Sequence, residues 1–176
     1  TGVQTCALPI SGSPMYYAAR IAKEKYPDAK IVFVGPCVAK RKEAQRDEAV
    51  DFVMTFEEIS SIFDAFEVNL EIVQPYAMEF SSVREAHGFA QAGGVMGAVK
   101  AFLKMEADKI NAIQVSDLNK KNIGTLRAYA KSGKAPGQFI EVMACEGGCI
   151  TGPSTHSGSN GKRQLVQELA KQEKTY

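Results

Sequence analysis

Hydrophobic and polar positions in the first part of the chain predict a helix, a strand, a second strand and a second helix. In "SGSPMYYAARIAKEKYP", Ser13 suits an N-cap and Pro14 the first helical position, and one apolar face follows. The run "KIVFVG" is continuously apolar and β-branched, as is typical of a buried strand in a parallel or mixed sheet. "VDFVM" predicts a second short strand. "TFEEISSIFDAF" then predicts a helix with a capping box formed by Thr55 and Glu58.

The same alternation returns in the second half of the chain. "NLEIVQPYAMEFSSVREAHGFAQAGG" shows little periodicity and is predicted as loop with at most one strand. "GGVMGAVKAFLKM" predicts a helix, "INAIQVS" a strand, and "NIGTLRAYAKSG" a helix that Gly133 ends. "QFIEVMA" predicts a strand that runs directly into Cys145, and "KRQLVQELAKQ" a polar helix. Together these elements predict an α/β fold with mixed or parallel β-sheets flanked by helices.

The length, charge and apolar content of the chain indicate which kinds of partner to expect. The chain has 176 residues, of which 45% are hydrophobic, enough for one globular domain. Its formal net charge of +1 gives no electrostatic reason to expect a nucleic acid or a membrane as partner. No apolar run approaches the ~18 residues that span a bilayer, and the N-terminus lacks the layout of a signal peptide. A cytoplasmic protein is therefore expected.

The four cysteines are too few for a disulfide-stabilised secreted scaffold. In a reducing compartment, thiols more often indicate metal binding or catalysis. One of them, Cys6, lies in "TGVQTCALPI", which back-translates as ACT GGA GTT CAG ACG TGT GCT CTT CCG ATC and resembles a common sequencing-library adapter read in frame. Residues 1–10 are therefore predicted to be an artefact, and residues 11–176 to form one domain that lacks its upstream part.

Cys37 and Cys145 each follow a predicted buried strand, so both thiols are expected at the end of a sheet where α/β proteins bind ligands. Thiolate is a soft ligand that suits iron–sulfur clusters, zinc or copper. Lys40 and Lys42 lie close to Cys37 in sequence, and nearby cations favour the thiolate form. The two glycines between Cys145 and Cys149 permit a tight turn and are expected to aim backbone N–H groups at sulfur.

Each feature taken alone has a simpler interpretation. An isolated cysteine after a strand, such as Cys37, is commonly a small buried hydrophobic residue. Lys40, Lys42 and Glu43 together are typical of a solvated helix face. His156 could complete a Cys₃His zinc set, although a single histidine in a Gly/Ser loop is usually an ordinary surface residue.

Two motifs in the right order favour the metal interpretation. "GPCVAKRKE" contains Pro36, Cys37, Lys40 and Glu43 at the spacing of a signature that reads approximately M-P-C-x-x-K-x-x-E. "EVMACEGGCITG" fits a second signature, approximately E-x-M-A-C-x-x-G-C-x-x-G. With the connecting segments "VDFVMTFEE" and "AGGVMGAV", nearly all of residues 13–176 resembles the C-terminal catalytic domain of [FeFe]-hydrogenases, the iron-only hydrogenase large subunit.

The resemblance implies an H-cluster, which is a [4Fe–4S] cubane bridged through one thiolate to a diiron unit. It implies that Cys37 and Cys145 bind the cubane and that Cys149 bridges the cubane to the diiron unit. Lys40 would hydrogen-bond a cyanide on the distal iron, and Met143 would pack against the diiron unit. The implied activity is reversible reduction of protons to dihydrogen, with ferredoxin or a similar electron carrier and hydrogenase maturation proteins as partners.

Two departures from the family qualify that activity. The family's T-S-C-C-P signature, which carries a fourth ligand, would lie upstream of "SPM" and is not found, so the chain is expected to be inactive alone. Gly35 and Pro153 replace the Met and Gly of the best-studied members, which indicates a divergent, sensory or slow subgroup. The alternative is an iron–sulfur cluster binding or assembly protein on the same scaffold without the diiron site. Lys40 and Met143 argue against it, because the resemblance assigns both to the diiron unit.

Overall fold

The computed structural model describes most of the chain. The described residues are 12–46, 48–74, 76, 83–156 and 160–171. They fall into two compact units. The first holds the described residues up to 76 together with Pro153–His156, and the second holds residues 83–152 and 160–171. The predicted artefact at residues 1–10, and Cys6 within it, lie outside the described residues, so that boundary stays a prediction.

The first unit begins with helix α1, Pro14–Lys25, at the predicted place. The Ser13 hydroxyl oxygen accepts the backbone N–H of Tyr16 at 3.3 Å, which caps the helix. Met15 and Ala19 on α1 are buried and form a small core with Val50. Of the apolar face expected from the sequence, Met15 and Ala19 are buried, whereas Ala18 is exposed.

Two parallel strands complete this core. Strand β1, Val32–Val34, pairs with β2, Phe52–Met54, in a two-stranded sheet. Helix α2, Ala39–Ala44, lies between them in the chain, and helix α3, Phe56–Ala65, follows β2. Both hydrogen bonds of the predicted capping box at the start of α3 are present, so the expected N-terminus is confirmed.

The expectation that β1 is buried on both faces is wrong. Val32 and Val34 are 45% and 40% exposed, whereas Phe33 between them packs against the core that contains Met15. Side chains alternate between the two faces of a strand, and α1 covers only the face that carries Phe33. A continuously apolar run therefore predicted the strand correctly but not its environment.

The second unit contains the remaining helices and the second sheet. Its elements are α4 Arg84–His87, α5 Gly94–Leu103, β3 Ala112–Ser116, α6 Lys120–Ser132, β4 Phe139–Met143 and α7 Asn160–Ala170, with 3₁₀ turns at Gly88–Ala90, Lys104–Lys109 and Cys149–Thr151. The described part of the segment predicted as loop holds α4 and the first 3₁₀ turn and contains no strand.

Strands β3 and β4 run parallel, with Ala112 opposite Phe139 and Ser116 opposite Met143. Helix α6 connects them and ends, as predicted, at Gly133, whose φ of 64° is the left-handed conformation that glycine adopts readily. Because the strands are parallel, both of their carboxyl ends lie at the same edge of the sheet. The segment that carries Cys145 and Cys149 begins at that edge.

Parallel two-stranded sheets flanked by helices make this an α/β protein, as the sequence predicts. Within the described ranges, no helix has both the length and the apolar character needed to cross a membrane.

Candidate functional site

The loop from Cys145 to Cys149, here called the thiol loop, is held by the end of β3. The Ser116 hydroxyl donates a hydrogen bond to the carbonyl oxygen of Cys145 at 3.3 Å. The same hydroxyl oxygen accepts the backbone N–H of Gly147 at 3.0 Å. One side chain on the neighbouring strand therefore contacts the thiol loop at two points.

The two glycines of the thiol loop are required by its conformation. Gly147 and Gly148 have φ angles of 81° and 104°. A Cβ atom on Gly148 would lie 2.4 Å from the backbone nitrogen of Ala92, closer than real Cβ contacts allow. Ala92 in turn donates its N–H to the carbonyl oxygen of Gly147 at 3.0 Å. The tight turn predicted between the two cysteines is therefore present, and it packs against the segment that precedes α5.

The expectation that the glycine N–H groups point at sulfur is wrong for this structure. The N–H of Gly147 donates to Ser116, and that of Gly148 donates to the carbonyl oxygen of Cys145 at 3.1 Å. Partly buried backbone donors require acceptors, and the turn brings these oxygens closest. Oxygen atoms of the protein therefore fix the backbone of the thiol loop.

Glu141 is the first residue of the second cysteine signature, but the sequence interpretation gave it no role. It is the buried residue of β4, 5% exposed, although the strand was predicted to be an apolar one. Its two carboxylate oxygens accept the backbone N–H groups of Gly93 at 2.6 Å and Met96 at 2.7 Å. These donors belong to the first turn of α5, where the helix dipole also favours a negative charge. The available signal was an acidic residue inside an apolar run.

Cys37 follows β1 after Gly35 and Pro36, at the carboxyl end of that strand as predicted. Gly35 donates its N–H to the carbonyl oxygen of Met54 at 3.0 Å, which extends the pairing with β2. The carbonyl oxygen of Cys37 accepts the N–H of Lys40 at 3.2 Å, so the cysteine sits where the chain turns into α2. Its side chain is half-buried, not fully enclosed as a small core residue would be.

Lys40 and Glu43 form a partly buried ion pair, so the interpretation as a freely solvated face is wrong for these two residues. The Lys40 Nζ lies 2.5 Å from Glu43 Oε2, and the Lys40 side chain is only 19% exposed. Glu43 Oε1 accepts a hydrogen bond from the Ser13 hydroxyl, which joins α2 to the start of α1. Lys42 is exposed to solvent, as expected for a solvated face.

The same region contains two carboxyl groups with lowered pKa values. The backbone N–H of Ile31, together with Lys30 and Lys23, lowers the pKa of Asp51 to about 2. Hydrogen bonds from the backbone and hydroxyl of Thr55 lower the pKa of Glu58 below its usual value. Glu58 also pairs with Arg41 of α2 at 2.5 Å, but both side chains are nearly half exposed, so this pair contributes little stability.

The three described thiols are divided between the two units. Cys37 belongs to the first unit, and Cys145 and Cys149 belong to the second. Across the described part of the chain, no three His, Cys, Asp or Glu side chains are grouped so that they could hold a metal ion. His156, the possible fourth ligand of a zinc site, is exposed. The convergence of Cys37 with the other two thiols, and the packing of Met143 against a diiron unit, stay predictions.

The donor chemistry nevertheless suits an iron–sulfur cluster. All three thiols are half-buried, so they remain accessible to an incoming metal. Thiolate sulfur is the donor that iron–sulfur clusters require, and hard cations such as Mg²⁺ and Ca²⁺ prefer oxygen. Three cysteines would supply three of the four ligands that a [4Fe–4S] cubane takes.

Parallel strands define the class as an α/β protein, in which one cysteine follows β1 and two cysteines follow β4. The chain belongs to the family described as "Iron only hydrogenase large subunit, C-terminal domain", whose model matches residues 7–153. That match extends across both compact units. The resemblance drawn from the two cysteine motifs is thereby confirmed at the level of this domain family.

Two relatives that the chain matches in sequence are named for functions other than hydrogenase activity. The chain is 28% identical to the nuclear prelamin A recognition factor of Danio rerio, over 78% of this chain and 39% of that protein. It is also 28% identical to the cytosolic Fe-S cluster assembly factor narfl of Danio rerio, over 81% of this chain and 46% of that protein. The chain therefore spans less than half the length of these relatives.

A solved [FeFe]-hydrogenase, described in terms of oxygen inactivation at the 2Fe subcluster of its H cluster, shares the fold. It matches 92% of this chain and 59% of its own chain with a TM-score of 0.60 and 19% sequence identity. At that identity the likeness establishes the fold, and it leaves the chemistry of this chain open.

Proposed function

We propose that this chain binds an iron–sulfur cluster and belongs to a cluster assembly protein built on the hydrogenase scaffold. The observation that carries the proposal is the thiol loop. Its two cysteines flank a turn whose backbone is held by hydrogen bonds to Ser116. The Danio rerio relative named as a cytosolic Fe-S cluster assembly factor supports the assembly role. Cys145, Cys149 and Cys37 would be the protein ligands.

The residues around the thiols have separate tasks in this proposal. The thiolates would hold iron, and the positive φ angles of Gly147 and Gly148 permit the tight turn between the two cysteines. When bound, the cluster supplies electron storage or is passed on as cargo. A fourth ligand can come from a small thiol during reconstitution, since the described cysteines supply three.

The surroundings of Lys40 favour assembly over hydrogen turnover. The resemblance gives this lysine the task of hydrogen-bonding a cyanide of the diiron unit. In the structure its ammonium group is already paired with Glu43, which the Ser13 hydroxyl also contacts. Glu43 therefore joins α1 to α2, and Lys40 balances its charge, which is a role that does not require a diiron unit.

Anaerobic reconstitution with ferrous iron and sulfide, in the presence of dithiothreitol, tests the proposal. The expected product contains iron and acid-labile sulfide in equal amounts and shows a cluster EPR signal after reduction. Cys37→Ala, Cys145→Ala and Cys149→Ala should each lower the iron content, while His156→Ala should leave it unchanged. A metal assay of the purified protein tests the alternative. Stoichiometric zinc without iron or sulfide, and its loss in His156→Ala, would instead establish the Cys₃His zinc site.

A second candidate function is that of an [FeFe]-hydrogenase, catalytic or sensory. It is favoured by the motif positions of Lys40 and Met143, and it would bring ferredoxin or a similar carrier and hydrogenase maturation proteins as partners. Treatment of the cluster-loaded protein with a synthetic diiron complex separates the two candidates. Infrared bands of CO and cyanide that depend on Cys149 would support the hydrogenase. Their absence, with the cubane retained, would support assembly.

A further inference from the structure

We propose that Ser116 is a positioning residue that holds the thiol loop in the form that receives the cluster. This inference rests on the proposed function, because the cluster is the group for which the loop is prepared. Ser116 is the last residue of β3 and lies opposite Met143, two positions before the first cysteine of the loop. Its side chain contacts the first residue and the middle of the thiol loop, at Cys145 and Gly147.

A serine hydroxyl can donate one hydrogen bond and accept others, and Ser116 uses both capacities. It donates to the carbonyl oxygen of Cys145 and accepts from the N–H of Gly147. Alanine in this place would leave the N–H of Gly147 without its acceptor in a partly buried turn. Threonine would keep the hydroxyl and both possible bonds.

The start of α6 holds the backbone of the strand end that carries this hydroxyl. The side-chain amide of Asn122 donates to the carbonyl oxygen of Ser116 at 3.1 Å and to that of Asp117 at 2.7 Å. Asn122 itself is held by the N-cap of α6, because its N–H donates to Asn119 Oδ1 at 2.9 Å. The hydroxyl therefore extends from a strand end whose backbone is hydrogen-bonded to α6.

The thiol loop needs such a contact because its centre is two consecutive glycines. Glycine loses more backbone freedom on ordering than any other residue, so a Gly-Gly turn without side-chain contacts is expensive to fix. If the loop is ordered in advance, less of the cluster's binding free energy is spent on ordering it. Ser116 therefore strengthens cluster retention without being a ligand.

Three variants of the cluster-free and the reconstituted chain test this. Ser116→Ala removes the hydroxyl, Ser116→Thr keeps it, and Ser132→Ala removes an exposed serine at the far end of α6 as a matched control. Amide exchange of Gly147 in the cluster-free chain should be about threefold to tenfold faster in Ser116→Ala, corresponding to one lost hydrogen bond. In Ser116→Thr and Ser132→Ala it should match the starting protein.

In the reconstituted chain, Ser116→Ala should lose its cluster to an iron chelator about threefold to tenfold faster, and Ser116→Thr should restore the original rate. The reduction potential of the cluster should also shift in Ser116→Ala, because the N–H of Gly147 becomes available to other acceptors, sulfur included. A merely structural contribution would lower the melting temperature and leave this potential unchanged.

The results separate this inference from the proposed function. Unchanged Gly147 exchange in Ser116→Ala overturns the inference whether or not a cluster binds. Equal chelator rates and potentials in the starting protein and Ser116→Ala also overturn it. If no variant binds a cluster, the proposed function fails and the inference fails with it, even where the exchange rates show that Ser116 orders the loop.

Discussion

The carboxylate of Glu141 and the backbone N–H of Met96 are joined by a 2.7 Å hydrogen bond across 45 positions of sequence. The other carboxylate oxygen accepts the N–H of Gly93, so one side chain on β4 satisfies two N-terminal donors of α5. Because Glu141 is buried, water cannot readily replace these bonds. The strand that leads to Cys145 and the helix that follows the Ala92 contact are thereby fixed to each other.

Replacing Glu141 with Gln should destabilise the chain. The amide keeps one acceptor but turns an NH₂ group toward one of the two helical N–H donors, and it loses the charge favoured at a helix N-terminus. We expect a loss of about 1–3 kcal/mol in the free energy of unfolding, measured by urea denaturation. Glu106→Gln, at an exposed ion pair with Lys109, is the matched control and should change it by less than about 0.5 kcal/mol. Equal effects of the two substitutions would contradict the assigned role.

Replacing Gly148 with Ala should disrupt the thiol loop. The new methyl group would meet the Ala92 nitrogen at 2.4 Å, and φ of 104° is strained for any residue with a Cβ atom. We expect a loss of about 1–3 kcal/mol in unfolding free energy and reduced iron content after reconstitution. Gly124→Ala, inside α6 with open space around its Cα, should instead be neutral or stabilising by up to about 1 kcal/mol. Full iron loading of Gly148→Ala would count against the described turn.

Asp51 should make the first unit sensitive to acid. The N–H of Ile31 donates to its carboxylate at 2.8 Å, and Lys30 and Lys23 lie at 3.0 and 3.3 Å. These contacts lower its pKa from 3.8 to about 2. A group with a lowered folded-state pKa contributes stability above its unfolded value and loses it as the pH falls through the folded value. The contribution of Asp51 should therefore be complete above about pH 4 and disappear toward pH 2.

Urea midpoints measured at several pH values between about 6 and 2 check this contribution. Asp51→Asn should lower the urea midpoint at neutral pH. The midpoint should then decrease less steeply as the pH is lowered, since the titrating group is gone. Asp28→Asn replaces an exposed carboxylate in the turn after α1 and should preserve the slope of the starting protein. If the urea midpoint of Asp51→Asn decreases with falling pH as steeply as that of Asp28→Asn, groups other than Asp51 control the sensitivity to acid.

Replacing Glu43 with Gln should release Lys40. The amide cannot form the 2.5 Å ion pair, so the ammonium group should become more mobile and more reactive. Lysine acetylation followed by mass spectrometry should show about a twofold to fivefold faster reaction at Lys40, corresponding to at most about 1 kcal/mol for the pair. Lys109 in Glu106→Gln is the exposed comparison and should change less. An unaltered rate at Lys40 would mean that burial alone protects it.

The sequence predicted the elements better than their environments. Capping signals are local, so Ser13, the Thr55–Glu58 box and Gly133 were found at the ends of the correct helices. Apolar runs predicted strands at the right places. They could not reveal that Val32 faces solvent, because burial depends on what packs against the strand and the run itself does not encode this.

The contacts of the candidate site were harder to predict for the same reason. The cysteines and the glycine turn between them are contiguous in sequence, so their geometry could be anticipated. Glu141 and Ser116 act on partners 45 and 29–31 positions away. An acidic residue inside an apolar run indicates that Glu141 needs a partner, but nothing local identifies that partner, and no local pattern marks the bonds of Ser116. The ion pair of Lys40 with Glu43 lies within one helical turn and could be anticipated, whereas the hydrogen bond from the Ser13 hydroxyl to Glu43 forms only in the folded first unit.

The pairing of β3 with β4 has a consequence for the order of folding. Ala112 lies opposite Phe139 with α6 between them, so the β3–α6–β4 segment closes over a short stretch of chain. Short loop closures cost less entropy and form faster than distant ones. We therefore expect this segment to form before the more distant bond from Glu141 to Met96. The thiol loop, which follows β4 closely, would then form next to a strand pair that is already folded. Both of its cysteines would therefore be in place early in folding.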